Sequence, residues 1–483
     1  MVGAVTGAWS ALDWLLLIER ELLAFAAFWF CVGLLDEFAI DLAWIGLRLR
    51  GKAQTGRLPV GYGGEALSGP AAVLIPAFRE SQVIAATIAH MLAAWPQREL
   101  AIYVGCYRND AATLAAAMQA ASTDMRVRLV TLGRAGPTTK ADCLNRLYAA
   151  LSADECRRQR RFSTIMLHDA EDMVHRCALQ AIDAALMLRD FVQLPVRPEL
   201  QSQSRWIAGH YADEFAESHA KSLVVRGALG GALPAAGVGC GFNRAALGQL
   251  VMRRSAGGEA GPFSPECLTE DYELGLIMSK EGRGSAFLRL RDDAGALVAT
   301  RSYFPARLDA AVRQKTRWVH GIAFQGWDRM GWTLNPVDLW MALRDRRGPL
   351  TALVLAAAYV LLAIDAALLV LQRLGMARLP PLSGPLKVML LFTFAGFVWR
   401  AGLRMGFTAH EYGLREGIRA VLRIPIANII AIMAGRRALV AYFRSLQTGT
   451  VVWDKTAHDA HPALALALAA NAGAHAPLRE AVV

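Results

Sequence analysis

Three textures of apolar and polar positions follow one another along the chain. Residues 22–35 form an unbroken apolar run closed by Asp36 and Glu37. At ~20 residues for a full span the run is short, but it extends into its flanking turns, and it predicts a first membrane helix. Residues 38–47 continue amphipathically as an interface helix toward the basic cluster from Arg48 to Lys52, which by the positive-inside tendency lies in the cytoplasm. Residues 51–70, rich in Gly and Pro, read as a linker.

From residue 71 the pattern changes to short apolar runs alternating with helical periodicity. Strands are predicted at 71–76, 101–104, 127–132 and 164–167, and helices at 83–95, 111–121 and 140–151. This alternation implies βαβ units, a largely parallel sheet, and a ligand site where the strands end. The α/β domain is expected over 71–333, with an interface helix near 307–330. Beyond it, 334–445 predicts two to three transmembrane or amphipathic helices. Residues 349–371 are long and apolar enough to span, and 386–399 form a second candidate. Residues 418–443 are punctuated by Arg419, Arg423, Asn428, Arg436 and Arg437, which predicts an amphipathic or partly inserted helix. The stretch 446–483 reads as a cytoplasmic tail, partly disordered.

Composition sharpens this picture. The chain has 483 residues, 54% of them hydrophobic, and a net charge of +11. A basic balance fits nucleic acid, anionic lipid or an anionic substrate. No RNA-binding signature or zinc finger is present, and the basic residues cluster beside the apolar runs, so a membrane partner is expected and nucleic acid is not. Seven scattered cysteines without a CxxC pair imply reduced thiols and no structural zinc. Asp13, Glu19, Arg20 and Glu21 stand where a cleaved secretory signal would be apolar.

Five blocks carry the chemistry. They are Val73-Leu74-Ile75-Pro76-Ala77-Phe78-Arg79-Glu80, Lys140-Ala141-Asp142-Cys143-Leu144-Asn145, His168-Asp169-Ala170-Glu171-Asp172, Thr269-Glu270-Asp271, and Gln314-Lys315-Thr316-Arg317-Trp318. In this order they resemble the signature blocks of family 2 glycosyltransferases of the cellulose- and hyaluronan-synthase type. The resemblance implies a GT-A (Rossmann-like) catalytic domain inserted between transmembrane helices. Its implied activity is transfer of a sugar from a nucleotide-sugar donor to a glycan or lipid-linked acceptor. His168 to His175, residues 193–196, residues 213–219 and Trp453 to His458 are similar, more narrowly, to the subgroup called bacteriophage adsorption protein B, inner-membrane proteins linked to a surface glycan. Longer members of that subgroup carry a cyclic-di-GMP-binding domain, and the short stretch after His458 predicts none here.

The implied roles make physical sense. A departing nucleoside diphosphate carries at least two negative charges, and a divalent Mg2+ or Mn2+ held by strand-end carboxylates is a common answer. Asp169 serves as one such carboxylate, with Glu171 or Asp172 as the second; three acids alone also read as a solvated loop. The resemblance puts Pro76, Glu80, Asp110, Lys140 and Asp169 on the donor. Lys140 otherwise reads as a first-turn helix residue. Asp271, with Thr269 and Glu270 beside it, matches the base that takes the acceptor's proton, and it also suits a helix-capping acid. Gln314, Arg317 and Trp318 share one helical face. They are expected to meet diphosphate and acceptor, or else to anchor an interface helix. The run from Gly237 to Phe242, with Gly239 and Gly241 in it, resembles a glycine-rich acceptor-side loop that lets a sugar approach the backbone, or else is a plain turn. Processive synthesis of a surface polysaccharide with export, with room for an export partner subunit, and single transfer to a lipid carrier both follow. The alternative is a non-catalytic membrane scaffold, sensor or phage-adsorption component that keeps the fold.

Overall fold

The computed structural model describes residues 9–258, 261–448 and 461–463. Most of the expected tail, including Trp453 to His458, lies outside them. The domain is built on a seven-stranded sheet. Its strands run in the order Val127–Leu132, Leu100–Tyr107, Ala71–Ala77, Thr164–Leu167, Cys240–Asn243, Phe191–Gln193, Ser285–Phe287. The first four are mutually parallel, as the alternating pattern predicted, and Cys240–Asn243 runs antiparallel between its neighbours.

Both faces of the central strand are apolar, and each is covered by helix. Val73 and Ile75 pack with Ile84, Ile88 and Met91 of helix Ile84–Ala94. Leu74 points the other way, toward Leu144 and Leu147 of helix Lys140–Arg158. Full burial of each such side chain contributes about 1.5–3 kcal/mol. The carboxyl ends of the parallel strands therefore all face one side, where the site lies.

Among the described residues, four helices are long and apolar enough to cross a membrane: Ala11–Leu49, Gly348–Arg373, Gly384–Tyr412 and Ile424–Thr448. Two expectations are corrected here. Asp36 and Glu37 do not end the first helix, which runs unbroken through them. Asp36 accepts from Trp340 Nε1 at 2.6 Å and from Arg347 at 2.5 Å, while Glu37 pairs with Arg344 at 3.0 Å. Paired carboxylates no longer require water, so the helix continues. Likewise 418–443 is not one amphipathic helix. A short helix, Leu414–Leu422, precedes the third of the long apolar helices that follow the sheet domain. The two meet at Arg423, whose fully buried guanidinium reaches Asp213 at 2.5 Å and also Glu416.

A further buried ionic centre ties the first helix to the sheet domain. Lys221, 1% exposed, lies 2.5 Å from Asp41 and 2.7 Å from Glu217. It sits in a π-helical turn, Ser218–Ser222, that interrupts the helix begun at Gly209–Glu217.

Candidate active site

A solvent-open cleft lies at the strand ends. Pro76 is the last residue but one of strand Ala71–Ala77, and the chain then turns through Arg79, whose φ is +55°. Asp110 holds that turn: its carboxylate accepts from Arg79 N at 2.5 Å and from Thr113 N at 3.3 Å, where it caps helix Ala111–Ala121. Glu80 N donates to Thr113 Oγ1 at 2.9 Å. Pro76 and Glu80 line the cleft, whereas Asp110 does not and instead braces the loop behind them.

Lys140 opens its helix after the N-cap Thr139, whose hydroxyl accepts from Asp142 N. Its ammonium lies 2.6 Å from Asp169 Oδ1 and faces Glu270 and Asp271. Burial pushes this ammonium down, yet the attraction of Asp169, Glu270 and Asp271 outweighs burial and holds it above the usual lysine range.

The acidic loop turns its carboxylates in different directions. Glu171 lines the cleft with Asp169. Asp172 does not: it is buried, accepts from Asp169 N at 2.9 Å and meets His168 Nδ1 at 2.9 Å. Its carboxylate is turned inward to hold the loop and does not face the cleft. Among the described residues no group of three or more His, Cys, Asp or Glu is gathered as a ready cage. Two cleft-facing carboxylates fit the manner in which Mg2+-type ions bind, through one or two carboxylates with substrate phosphates completing the shell.

Across the cleft, helix Glu270–Lys280 begins at Thr269. Asp271 sits in its first turn and accepts from its own neighbour Tyr272 N at 2.8 Å. Burial, with Asp169 adding repulsion and Lys140 opposing, raises its carboxyl above the usual range. Burial and Asp271 push Glu270 up to about 8. Glu270 Oε1 and Gln314 Oε1 are buried without a hydrogen-bond partner among the described residues, and both residues line the cleft.

Gln314, Arg317 and Trp318 lie on helix Leu308–Trp318, which passes into a π-helical segment, Val319–Gln325. All three face the cleft. The Trp318 ring is held edge-on by Tyr211 at 6.0 Å and carries the Lys315 ammonium 5.1 Å from its centroid.

The glycines of the loop differ in what they face. Neither Gly239 nor Gly241 lines the cleft. A Cβ on Gly239 would meet Thr300 Oγ1 at 2.3 Å, and one on Gly241 would meet Ile182 Cγ2 at 2.2 Å, so both are demanded by internal packing. The glycine beside the chemistry is Gly237, where φ is +74° and a Cβ would lie 2.1 Å from Asp271 Oδ2. Its position in the run Gly237-Val238-Gly239 was the available signal. Phe78 and Tyr107, edge-to-face at 5.1 Å, also line the cleft and were missed, because apolar lining has no pattern distinct from core.

Residues 69–321 match the family model described as glycosyltransferase like family 2. That match contains the whole sheet and all the blocks above, as a GT-A domain requires. Two curated relatives resemble the chain: bacteriophage adsorption protein B of Escherichia coli strain K12 and bacteriophage N4 adsorption protein B of Escherichia coli O157:H7. Each is 31% identical over 471 residues, a match covering 92% of this chain and 63% of the relative. The chain thus spans under two thirds of their length. Among solved structures, a mannosyltransferase from Pyrobaculum calidifontis in complex with GDP-Man and Mn2+ is 16% identical, covering 86% of this chain and 99% of its own, with a TM-score of 0.47. Glucosyl-3-phosphoglycerate synthase from Mycobacterium tuberculosis is 18% identical, covering 50% and 75%, with a TM-score of 0.30.

Proposed function

The chain belongs to glycosyltransferase family 2 and is a membrane-associated glycosyltransferase, and on that premise we propose that it transfers a sugar from a UDP-sugar-class donor to a glycan or lipid-linked acceptor. The setting is the cytoplasmic face of a bacterial inner membrane, in surface polysaccharide synthesis, with an export partner subunit where the product leaves the cell. The observation that carries this reading is one cleft that gathers cationic, carboxylate and aromatic groups: Lys140, Asp169, Glu171, Asp271, Arg317 and Trp318.

In the proposed reaction an acceptor oxygen bonds to the anomeric carbon as the bond from that carbon to phosphate breaks. The bonding electrons leave on the diphosphate. Asp271 takes the acceptor's proton; its raised carboxyl is the more basic for being buried, which suits a general base. Lys140 and Arg317 supply positive charge where the leaving group gathers negative charge, and such preorganised electrostatics is usually the largest catalytic contribution. Asp169 and Glu171 would hold a divalent Mg2+ or Mn2+, which neutralises the leaving diphosphate when bound. Trp318 offers an aromatic face to an acceptor ring. Gln314 presents its carbonyl oxygen, which has no partner among the described residues, to a sugar hydroxyl.

The test is donor hydrolysis by purified protein across UDP-, GDP- and CMP-sugars with Mg2+ or Mn2+. Wild type is expected to turn over at least one donor class, and Asp271→Asn to lose at least ~100-fold. Equal, negligible turnover in both would leave the fold serving a scaffold role.

A further inference from the structure

Asp271 stands in the first turn of helix Glu270–Lys280, whose N-cap Thr269 supplies no side-chain capping bond. A helix start without such a cap leaves its first turn weakly held by its own residues. The hold comes from the next residue. Tyr272 N donates to Asp271 Oδ1 at 2.8 Å, so the place of residue 272 fixes one oxygen of the proposed base. The Tyr272 hydroxyl in turn donates to Asp345 Oδ2 at 2.6 Å, a hydroxyl-to-carboxylate bond of the strong kind. Burial, with Asp345 adding to it, holds that hydroxyl well above the ordinary tyrosine range, so it stays a donor. Tyr272 is 7% exposed, and neither it nor Asp345 lines the cleft. The pair therefore works from behind Asp271 and does not touch substrate.

Asp345 belongs to a helix with two working faces. Helix Pro336–Arg346 starts at Asn335, whose side chain accepts from Val337 N and Asp338 N, with proline at its first position. Asp338 and Asp345 are seven residues apart and share one face. On it, Asp338 Oδ1 accepts from Ala232 N at 2.8 Å, and Asp345 Oδ2 takes Arg226 at 2.8 Å beside Tyr272. Arg226 also donates to Ala232 O at 2.5 Å, so this face grips the start of the segment that passes Asp271 at Gly237. Trp340, Arg344 and Arg347 recur at helical spacing on the opposite side. They hold the first long apolar helix: Trp340 Nε1 donates to Asp36 at 2.6 Å, Arg347 lies 2.5 Å from Asp36, and Arg344 lies 3.0 Å from Glu37. One short helix thus joins the first long apolar helix to the turn that carries the base.

We propose that Asp345 is a positioning residue for sugar transfer: it holds the Tyr272 hydroxyl, Tyr272 holds the carboxylate of Asp271, and helix Pro336–Arg346 ties that position to the first long apolar helix. The proposal rests on the reading of Asp271 as the base. A shift of 1 Å at a reacting group costs roughly 100-fold in rate, so release of one hold, which moves the carboxylate by less, is expected to cost about tenfold. Donor binding is separate, because Lys140, Asp169 and Arg317 reach the cleft from other elements.

The experiment combines donor hydrolysis by the full chain in lipid nanodiscs with amide hydrogen exchange. The donor is whichever of UDP-glucose, UDP-N-acetylglucosamine and GDP-mannose wild type turns over fastest. Tyr272→Phe is expected to lower kcat about tenfold with donor KM within twofold of wild type. Asp345→Asn, whose amide oxygen still accepts the hydroxyl, is expected to stay within threefold of wild type. Beside Asp271→Asn, Tyr272→Phe is expected to cost less than twofold more, since no base is left to position, whereas a merely structural loss would carry through unchanged. The amides of Tyr272 and Glu273 are expected to exchange at least fivefold faster in Tyr272→Phe, and that of Met278, further along the helix, at the wild-type rate. The proposal is overturned by a folded Tyr272→Phe protein with kcat within twofold of wild type, by a loss that persists in full beside Asp271→Asn, or by unchanged exchange at Tyr272 and Glu273. Asp271→Asn equal to wild type, whether both turn over donor or neither does, overturns the base reading itself and the proposal with it. That outcome is distinct from the others because it needs no change at Tyr272.

Discussion

Replacing Gly237 by alanine adds one methyl group at the point where the backbone passes the proposed base. That Cβ would lie 2.1 Å from Asp271 Oδ2 and 3.2 Å from Lys140 Nζ, where real Cβ contacts do not fall below 3.0 Å. The carboxylate must move by about 1 Å, and a displacement of that size at a reacting group costs roughly 100-fold in rate. The φ of +74° adds left-handed strain of about 1–2 kcal/mol. Strain alone lowers the melting temperature by only a few degrees in a domain of this size. Gly230 supplies the control: its φ is +72°, but nothing lies within 4 Å of its Cβ. Gly230→Ala is expected to lose similar stability and keep its rate within twofold. Gly237→Ala is expected to lose roughly 100-fold in kcat/KM for sugar transfer with UDP binding retained. A folded Gly237→Ala protein with kcat/KM within threefold of wild type would refute the placement of Asp271 at the chemistry.

Other outcomes follow from the same geometry. Burial and Asp271 push Glu270 up to about 8; its ionisation beside Asp271 is expected to bend the pH–rate profile downward near that value, and Glu270→Gln to remove the bend. Because the folded value lies above the ordinary 4.5, the proton-bound form is favoured by folding. Its stabilisation is full below pH 4.5 and is lost as pH rises through about 8, which thermal unfolding across that window checks against Glu270→Gln. Lys221→Met removes the buried cation 2.5 Å from Asp41 and 2.7 Å from Glu217 and leaves Arg400, at 3.4 Å and 2.6 Å from them, as their remaining positive charge. A loss of about 3–5 kcal/mol, or about 10 °C in melting temperature, is expected; a shift under about 2 °C counts against that centre holding the first helix to the domain. If the sheet domain is cytoplasmic, the turn between helices Gly348–Arg373 and Gly384–Tyr412 faces the opposite side. An impermeant maleimide on intact cells should label Gly375→Cys but leave the exposed Cys156 unlabelled until the membrane is opened.

Much of the fold was legible because apolar spacing is a local property. The strands at 127–132 and 164–167 and the helix at 111–121 stand where the periodicity put them. Helix Lys140–Arg158 outran its predicted end because its last turns are charged: Asp154 pairs with Arg128 at 2.6 Å and Glu155 with Arg244 at 2.6 Å, partners far away in sequence. Asp36, Glu37 and Arg423 misled in the same way. A charge in an apolar run reads as a stop unless its distant counter-ion is known.

The five blocks by themselves determined the family and most of the residues that meet in the cleft, because each block is short and lies at a strand or helix end. Only the tertiary structure decided which side of each residue faces inward. Asp172 turns to His168 while Glu171 turns to the cleft. Gly237, not Gly239, leaves room for Asp271. The approach of helix Ile424–Thr448 to Glu270 joins parts of the chain more than 150 residues apart. Side-chain direction and long-range counter-ions depend on packing between elements, and no local pattern of residues encodes them.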